Sequence, residues 1–228
     1  MTTLKGISSM ATRQVLADLS SAYEKQSGET VSTESVGGVD AARRVQDGEH
    51  FDFVVLASDA IDKLIAAGAV AAGSRVDLVH SSVAIAVRAG APRPDVTSEE
   101  ALRQAVLSVP TIGYSTGPSG VALMKLFERW GIASDVATKT VQAPPGVPVG
   151  ALVARGEVAL GFQQLSELMN LEGIDVIGLM PEPVQITTTF SAGICASSSH
   201  TSEVRRMFEF LSSPQAAEAK RRSGMEPA

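Results

Sequence analysis

Gly113-Tyr114-Ser115-Thr116-Gly117-Pro118-Ser119-Gly120 is a run of mostly small residues between two apolar segments. It follows Val106–Ile112, whose pattern predicts a strand, and it opens the helix-patterned segment Val121–Trp130. The first amides of a helix have no partner within the helix and carry partial positive charge, so they bind anions. The loop therefore predicts an anion-binding turn, and a capped turn without a ligand is the alternative.

The same order of strand, loop and helix occurs three more times. The loops are Ser8-Ser9, Ser35-Val36-Gly37-Gly38 and Pro144-Pro145-Gly146-Val147-Pro148-Val149-Gly150. Ligands of open α/β sheets bind beyond the carboxyl ends of strands, which is where all four loops lie. Four such loops in one chain predict that several helix N-termini line one cleft.

Strand and helix patterns alternate along almost the whole chain, which predicts an α/β fold with helices on both faces of its sheets. The proline-containing loop Ala89–Val96 indicates a crossing into a second lobe, and the extended run Gln185–Ala196 indicates a return. We therefore predict a first lobe of residues 1–81 with 190–228, and a second lobe of residues 82–189.

Composition excludes several classes of function. The 228 residues are 44% hydrophobic and carry a net charge of −6 without a long basic run, so we expect no nucleic-acid partner. No apolar stretch has the length of a membrane span. An anion site in this acidic chain has to rely on local amides and a few arginines rather than on an overall positive field.

Cysteine and histidine usage indicates neither a disulfide nor a metal site. Cys195 is the single cysteine, and the three histidines are scattered, so we expect no metal and no cofactor. The segment Met1–Lys5 runs directly into the first predicted strand without a basic and apolar leader. This predicts a cytoplasmic protein, or a periplasmic one if the sequence has been trimmed.

Several segments together resemble a known family. They are Gly6–Met10, Phe51–Ser58, Gly113–Gly120, Val149–Gly161 and Ser213–Ala217. The pattern resembles the type II solute-binding proteins, and most of all the periplasmic molybdate-binding group. The resemblance covers nearly the whole chain. It implies a two-lobed type II periplasmic-binding-protein fold, with two mixed sheets, flanking helices and an interlobe ligand cleft.

The resemblance also implies ligand contacts. Ser9 matches the family's first serine contact, Ser119 the amide contact of the third loop, and Val149 that of the fourth. The chain departs from the family at two places, because Gly37-Gly38 replaces a serine and Gln163 or Gln164 replaces a tyrosine. These losses leave a tetrahedral dianion with too few donors, whereas a larger carboxylate fits the space and can accept from an amide side chain.

The predicted site unites the four loops with the ends of neighbouring strands. Predicted ligand contacts are Ser8, Ser9, Gly37, Gly38, Ser58, Ser115, Thr116, Ser119, Gly120, Val149, Gln163, Gln164 and Arg88. The sequence does not identify a catalytic base, for which Tyr114, His80 and Glu34 are candidates because each can accept or donate a proton.

Three functions fit these features. The chain also resembles the aconitate isomerases, relatives with the molybdate-binding fold, which implies a proton shift in a small polycarboxylate without a cofactor. A solute-binding protein for an oxoanion or organic acid, with a transporter as partner only if exported, is the alternative. A ligand-sensing domain is the third possibility, although no helix-turn-helix is visible.

Overall fold

The computed structural model describes residues 2–228 as ten strands and ten helices joined by short turns. The strands are β1 (Thr3–Ser9), β2 (Thr30–Val36), β3 (Phe53–Ala57), β4 (Val76–Arg88), β5 (Ile112–Tyr114), β6 (Thr140–Gln142), β7 (Leu160–Gln164), β8 (Ile174–Leu179), β9 (Thr187–Ile194) and β10 (Met225–Pro227). The helices are α1 (Arg13–Ser27), α2 (Gly38–Gln46), α3 (Ser58–Ala66), α4 (Glu99–Ser108), α5 (Pro118–Arg129), α6 (Ala133–Val136), α7 (Val149–Ala154), α8 (Leu165–Leu168), α9 (Thr201–Ser212) and α10 (Ala217–Arg222). Short 3-10 turns are Met10–Thr12, Ala137–Lys139, Glu182–Val184 and Pro214–Ala216.

The chain divides into two compact units. Unit 1 contains the residues up to Ser81 and Thr189–Ala228, and unit 2 contains Ser82–Thr188. The chain passes from unit 1 to unit 2 within β4 and returns within β9. In the sequence-based prediction the return comes one residue later, at position 190.

The sheet of unit 1 is mixed and is covered by helices on both faces. Its strands run in the order β2-β1-β3-β9, with β1 parallel to both β2 and β3, and β9 antiparallel to β3. Alternate side chains of β3 enter two different cores: Phe53 and Val55 pack with α1 and α9, while Val54 and Leu56 pack with α2 and α3. Two-sided burial explains why β3 reads as a continuous apolar run.

The sheet of unit 2 follows the same plan. β8 and β7 both pair with β4, and β5 lies parallel between β7 and β6. Val83 and Ile85 of β4 join a core with α4 and α5, whereas Ala84 and Ala86 pack on the opposite face with Leu168 of α8. Small residues on that second face leave room for the short helices α7 and α8.

One predicted element is wrong in its extent. Val106–Ile112 does not form a strand, because α4 continues to Ser108 and β5 begins only at Ile112. Leu102, Ala105 and Val106 are buried at helical spacing, so the apolar run continues the inner face of α4. The strand that feeds the Gly113–Gly120 loop is therefore only three residues long.

A buried carboxylate joins the amino end of β3 to other parts of unit 1. Asp52 is 2% exposed and accepts hydrogen bonds from the Lys5 amide at 2.9 Å, from Ser198 Oγ at 2.7 Å and from His200 Nδ1 at 3.1 Å. Burial raises the pKa of Asp52, but these hydrogen bonds together outweigh burial and hold the pKa below its usual range.

Asp52→Asn is expected to lower the free energy of unfolding at neutral pH by about 2 kcal/mol, because hydrogen bonds to a charged group are lost. A carboxyl group with a lowered pKa stabilises the fold only while it is ionised. The difference between wild type and variant should therefore shrink as the pH falls below about 4. Urea unfolding between pH 3 and 7 measures it, and Asp59→Asn, at an exposed 3.7 Å ion pair with Lys63, is the control. A constant difference down to pH 3 would contradict this assignment.

Candidate functional site

Three parallel strands of unit 1 end at one edge of the sheet, and each is followed at once by a helix or helical turn. β1 leads into the Met10–Thr12 turn, β2 into α2 and β3 into α3. The amides of each first turn lack partners within the helix. This edge of unit 1 therefore presents three sets of partly positive N–H groups.

Ser9 and Gly38 are brought together at this edge. The Ser9 hydroxyl oxygen accepts from the Ala11 amide at 3.2 Å, which leaves its hydroxyl proton for another acceptor. A Cβ atom added to Gly38 would lie 3.8 Å from Ser9 Cβ and 4.0 Å from Ser9 Oγ. The absence of a side chain at Gly38 thus keeps the space beside the Ser9 hydroxyl open.

The other predicted residues of unit 1 occupy different roles. Ser8 is fully buried, and its hydroxyl lies 2.8 Å from that of Ser35, its partner in the pairing of β1 with β2. Gly37 is the N-cap of α2, and Ser58 is the half-buried first residue of α3. Ser8 therefore links two strands, whereas Gly37 and Ser58 stand at helix starts.

Unit 2 has a matching edge. β6 and β7 both run parallel to β5, so the three strands end on the same side of the sheet. β5 is followed by the Ser115–Gly117 loop, β6 by the turn before α7, and β7 by the start of α8. Ser115 Oγ lies 3.1 Å from Ser119 Oγ, and Thr116 between them is half-buried. The hydroxyls of Ser115 and Ser119 and the first turn of a 12-residue helix lie together here.

Gln163 connects two of these turns. Its Oε1 accepts from the amides of Val149 at 2.8 Å and Gly150 at 3.4 Å, at the start of α7. Two N–H donors directed at one atom require that atom to be the amide oxygen, so Nε2 must point the other way. There it donates to Glu167 Oε1 at 2.8 Å. In this state the Val149 amide, a predicted ligand contact, is hydrogen bonded to Gln163.

Gln164 is buried next to Gln163, and only one end of its side-chain amide is hydrogen bonded. Its Nε2 donates to Thr188 Oγ1 at 2.9 Å. Its Oε1 is inaccessible to solvent and has no hydrogen-bond partner within residues 2–228. An unpaired buried amide oxygen costs free energy, so Gln164 is a candidate for contact with a group that can donate.

Glu167 is a further acidic group at this edge that the sequence-based prediction missed. Burial raises the pKa of its carboxyl to about 7, while the hydrogen bond from Gln163 acts in the opposite direction. The sequence carried one signal for it: Glu167 follows Gln163 by four positions, across the turn after an apolar strand.

The chain is similar to several known proteins. The family model described as "bacterial extracellular solute-binding protein" matches residues 4–226. The chain belongs to this family. Among curated proteins, the aconitate isomerase of Pseudomonas sp is 39% identical over 100% of this chain and 88% of its own length. The molybdate-binding protein ModA of Escherichia coli (strain K12) is 20% identical over 92% of this chain and 83% of its own length.

Solved structures confirm the predicted periplasmic-binding-protein fold class. The periplasmic molybdate-binding protein of Azotobacter vinelandii superimposes on this chain with a TM-score of 0.80. The two are 19% identical, and the match covers 97% of this chain and 98% of the other. At that identity the likeness establishes the fold alone. Among residues 2–228, none of the helices combines the length and the apolar character that a membrane span requires.

Arg88 is placed away from the proposed contacts. β4 runs antiparallel to β7, with Val83 opposite Gln164 and Ala86 opposite Gly161, so Arg88 lies toward the amino end of β7. The donor loops lie at the carboxyl end. The structure places the Arg88 guanidinium beside the turn at Gly156, and the predicted ligand contact for Arg88 stays a prediction.

The candidate bases also differ in their surroundings. The exposed carboxylate of Glu34 accepts from Arg44 at 2.6 and 2.9 Å, and the hydrogen bond to Arg44 lowers its pKa, which disfavours proton acceptance. His80 is exposed, with Nδ1 3.0 Å from Thr189 Oγ1. Tyr114 ends β5 and packs against the core of unit 2.

Gly120→Ala tests the close approach of Gly120 to the backbone of Ser115. An added Cβ would lie 1.9 Å from the Ser115 carbonyl oxygen, so the backbone must move. We expect a loss of about 1–3 kcal/mol in the free energy of unfolding. Gly117→Ala is the control in the same loop, because its Cβ would meet nothing closer than 3.8 Å. Equal urea midpoints for the two variants would show that the loop is not constrained at Gly120.

Proposed function

We propose that this protein binds a small tricarboxylate and moves a double bond within it, as an isomerase of the aconitate type. The observation that carries the proposal is the similarity to an aconitate isomerase along the whole chain. The described donors support it, because a polycarboxylate needs many N–H and O–H groups and this acidic chain offers neutral ones.

Each unit supplies donors that suit a carboxylate in this proposal. Ser9, Gly38 and Ser58 contribute a hydroxyl group and helix-start amides, and the Ser115–Gly120 loop contributes two further hydroxyls and the first turn of α5. Helix N-termini stabilise carboxylates without a formal positive charge. Such donors also stabilise the negative charge that develops when a proton leaves carbon.

The isomerisation requires only the movement of one proton. A base removes a proton from the methylene carbon next to a carboxylate, and the C–H electron pair spreads over the adjacent double bond and carboxylate. Return of the proton to the former vinyl carbon completes the shift, so no electrons are gained or lost. The residues of this chain have to orient the carboxylates and transfer that proton.

A non-catalytic binding protein for a molybdate-like oxoanion or an organic acid is the second candidate, supported by the family to which the chain belongs. One contact argues against the oxoanion. The Val149 amide is bonded to Gln163, so a compact dianion would have to displace an internal acceptor before it could use that donor. A transporter partner and the cellular location stay predictions of the sequence.

Turnover of trans-aconitate, followed by absorbance or by NMR, tests the proposal. We expect conversion between the trans and cis isomers without added metal or organic cofactor. Calorimetric titration with tricarboxylates, molybdate and tungstate provides the comparison. Tight tricarboxylate binding without conversion would support the binding protein instead, and preferential binding of molybdate would support the oxoanion alternative.

Ser9→Ala tests the predicted contact of unit 1. Removal of the hydroxyl donor should weaken tricarboxylate binding about 10-fold, which corresponds to about 1.4 kcal/mol. The control is Ser98→Ala, because Ser98 caps α4 through the Ala101 amide at 3.1 Å but does not follow a strand. Both variants lose a cap, and only Ser9→Ala should lose affinity. Equal affinities in calorimetry would remove Ser9 from the proposed site.

A further inference from the structure

The edge of unit 2 holds a carboxyl group for which the predicted ligand contacts give no role. Glu167 lies in α8, directly after β7, with its side chain neither fully buried nor exposed. Its Oε1 accepts from Gln163 Nε2, and within the described chain no hydrogen bond reaches Oε2. One carboxyl oxygen is therefore held in place while the other is available.

The chain of contacts positions this carboxyl beside the donor loops of unit 2. Gln163 is fixed by two backbone amides of α7 on one side and by Glu167 on the other. The loop of Ser115 and Ser119 follows the neighbouring strand β5, which runs parallel to β7. Glu167 thus lies at the same sheet edge as the hydroxyls and amides that the proposed function assigns to carboxylate binding.

We infer that Glu167 is the catalytic base of the proposed isomerisation, with Gln163 as the residue that positions it; the inference rests on the proposed function. Oε2 takes the proton from the methylene carbon as the C–H bond breaks, and the bonding pair enters the allylic carboxylate system. The protonated Glu167, whose proton exchanges with solvent, then gives a proton to the other end of that system. The carboxylate is regenerated, so the step is balanced without another reactant.

The surroundings of Glu167 suit a group that both removes and returns a proton. A carboxyl with a pKa of about 7 is populated in both forms at neutral pH, which favours transfer in either direction. β7 and α7 carry no titratable side chain, and Asp175 of β8 is bonded to Arg93 and to the Gly90 amide. The stretch of β4 beside α8 contributes Ala84 and Ala86. Burial, rather than a neighbouring charge, sets this pKa.

Glu167→Gln provides the direct test, since it keeps the shape and removes the base. We expect kcat for trans-aconitate to fall at least 100-fold while the calorimetric affinity for tricarboxylates stays within threefold. Wild-type enzyme in D₂O should introduce deuterium into the substrate methylene, and the variant should not. Glu172→Gln, at an exposed acid in the turn after α8, is the matched control and should leave both rate and exchange unchanged.

Proton linkage supplies a readout that does not depend on turnover. A bound polyanion near Glu167 should raise the pKa of the Glu167 carboxyl further. Binding at pH 7.5 should therefore be accompanied by proton uptake. Calorimetry in buffers of different ionisation enthalpy measures that uptake. Glu167→Gln should abolish that uptake. Full activity in Glu167→Gln beside an active wild type would overturn the role of Glu167 alone. A wild type that binds but does not convert aconitate would overturn the proposed function and, with it, the catalytic role.

Discussion

Parallel pairing of strands is the constraint on which the site depends. In unit 1, β1, β2 and β3 end on one side of their sheet, so the turns that follow them lie at one edge of that sheet. In unit 2, the same holds for β5, β6 and β7 within their own sheet. Each turn begins a helix whose first amides have no internal partner. Concentrating such amides costs free energy unless caps, water or a ligand satisfy them, and this cost makes each edge a place for anions.

Two arginines of unit 1 are engaged in ion pairs with carboxylates of the protein. Arg44 binds Glu34 and Glu49, and Arg75 binds Asp62 and Asp77, all in ion pairs at the surface. Such exposed ion pairs contribute little to the free energy of unfolding. They do mean that Arg44 and Arg75 already bind carboxylates of the protein. The donors at the two sheet edges are neutral, and their strength depends on geometry and on exclusion of water rather than on formal charge.

The elements predicted best were those defined by local chemistry. The order of strand, small residue and helix located the turns at Ser9, Gly38 and Ser119, because caps and helix starts are decided within a few residues. The contact between Ser9 and Gly38 follows from parallel pairing, which alternating strand and helix patterns already indicate. The position of Arg88 relative to these turns could not be predicted, because the direction of β4 in its sheet depends on pairing with distant strands that no local pattern records.

Gln163 and Glu167 show why part of the site could not be predicted. The sequence drew attention to Gln163 as a side chain that could donate to a ligand, yet its acceptor atom is what anchors it, on the amides of α7. Because of that bond, the NH₂ group of Gln163 points toward Glu167. The orientation of the Glu167 carboxyl therefore depends on the start of α7, fourteen residues before Gln163 in the chain. A carboxylate near an anion site is repelled when ionised and tolerated when protonated. Glu167 can change between the two forms: ligand binding favours the protonated carboxyl, and release of the ligand favours the ionised one.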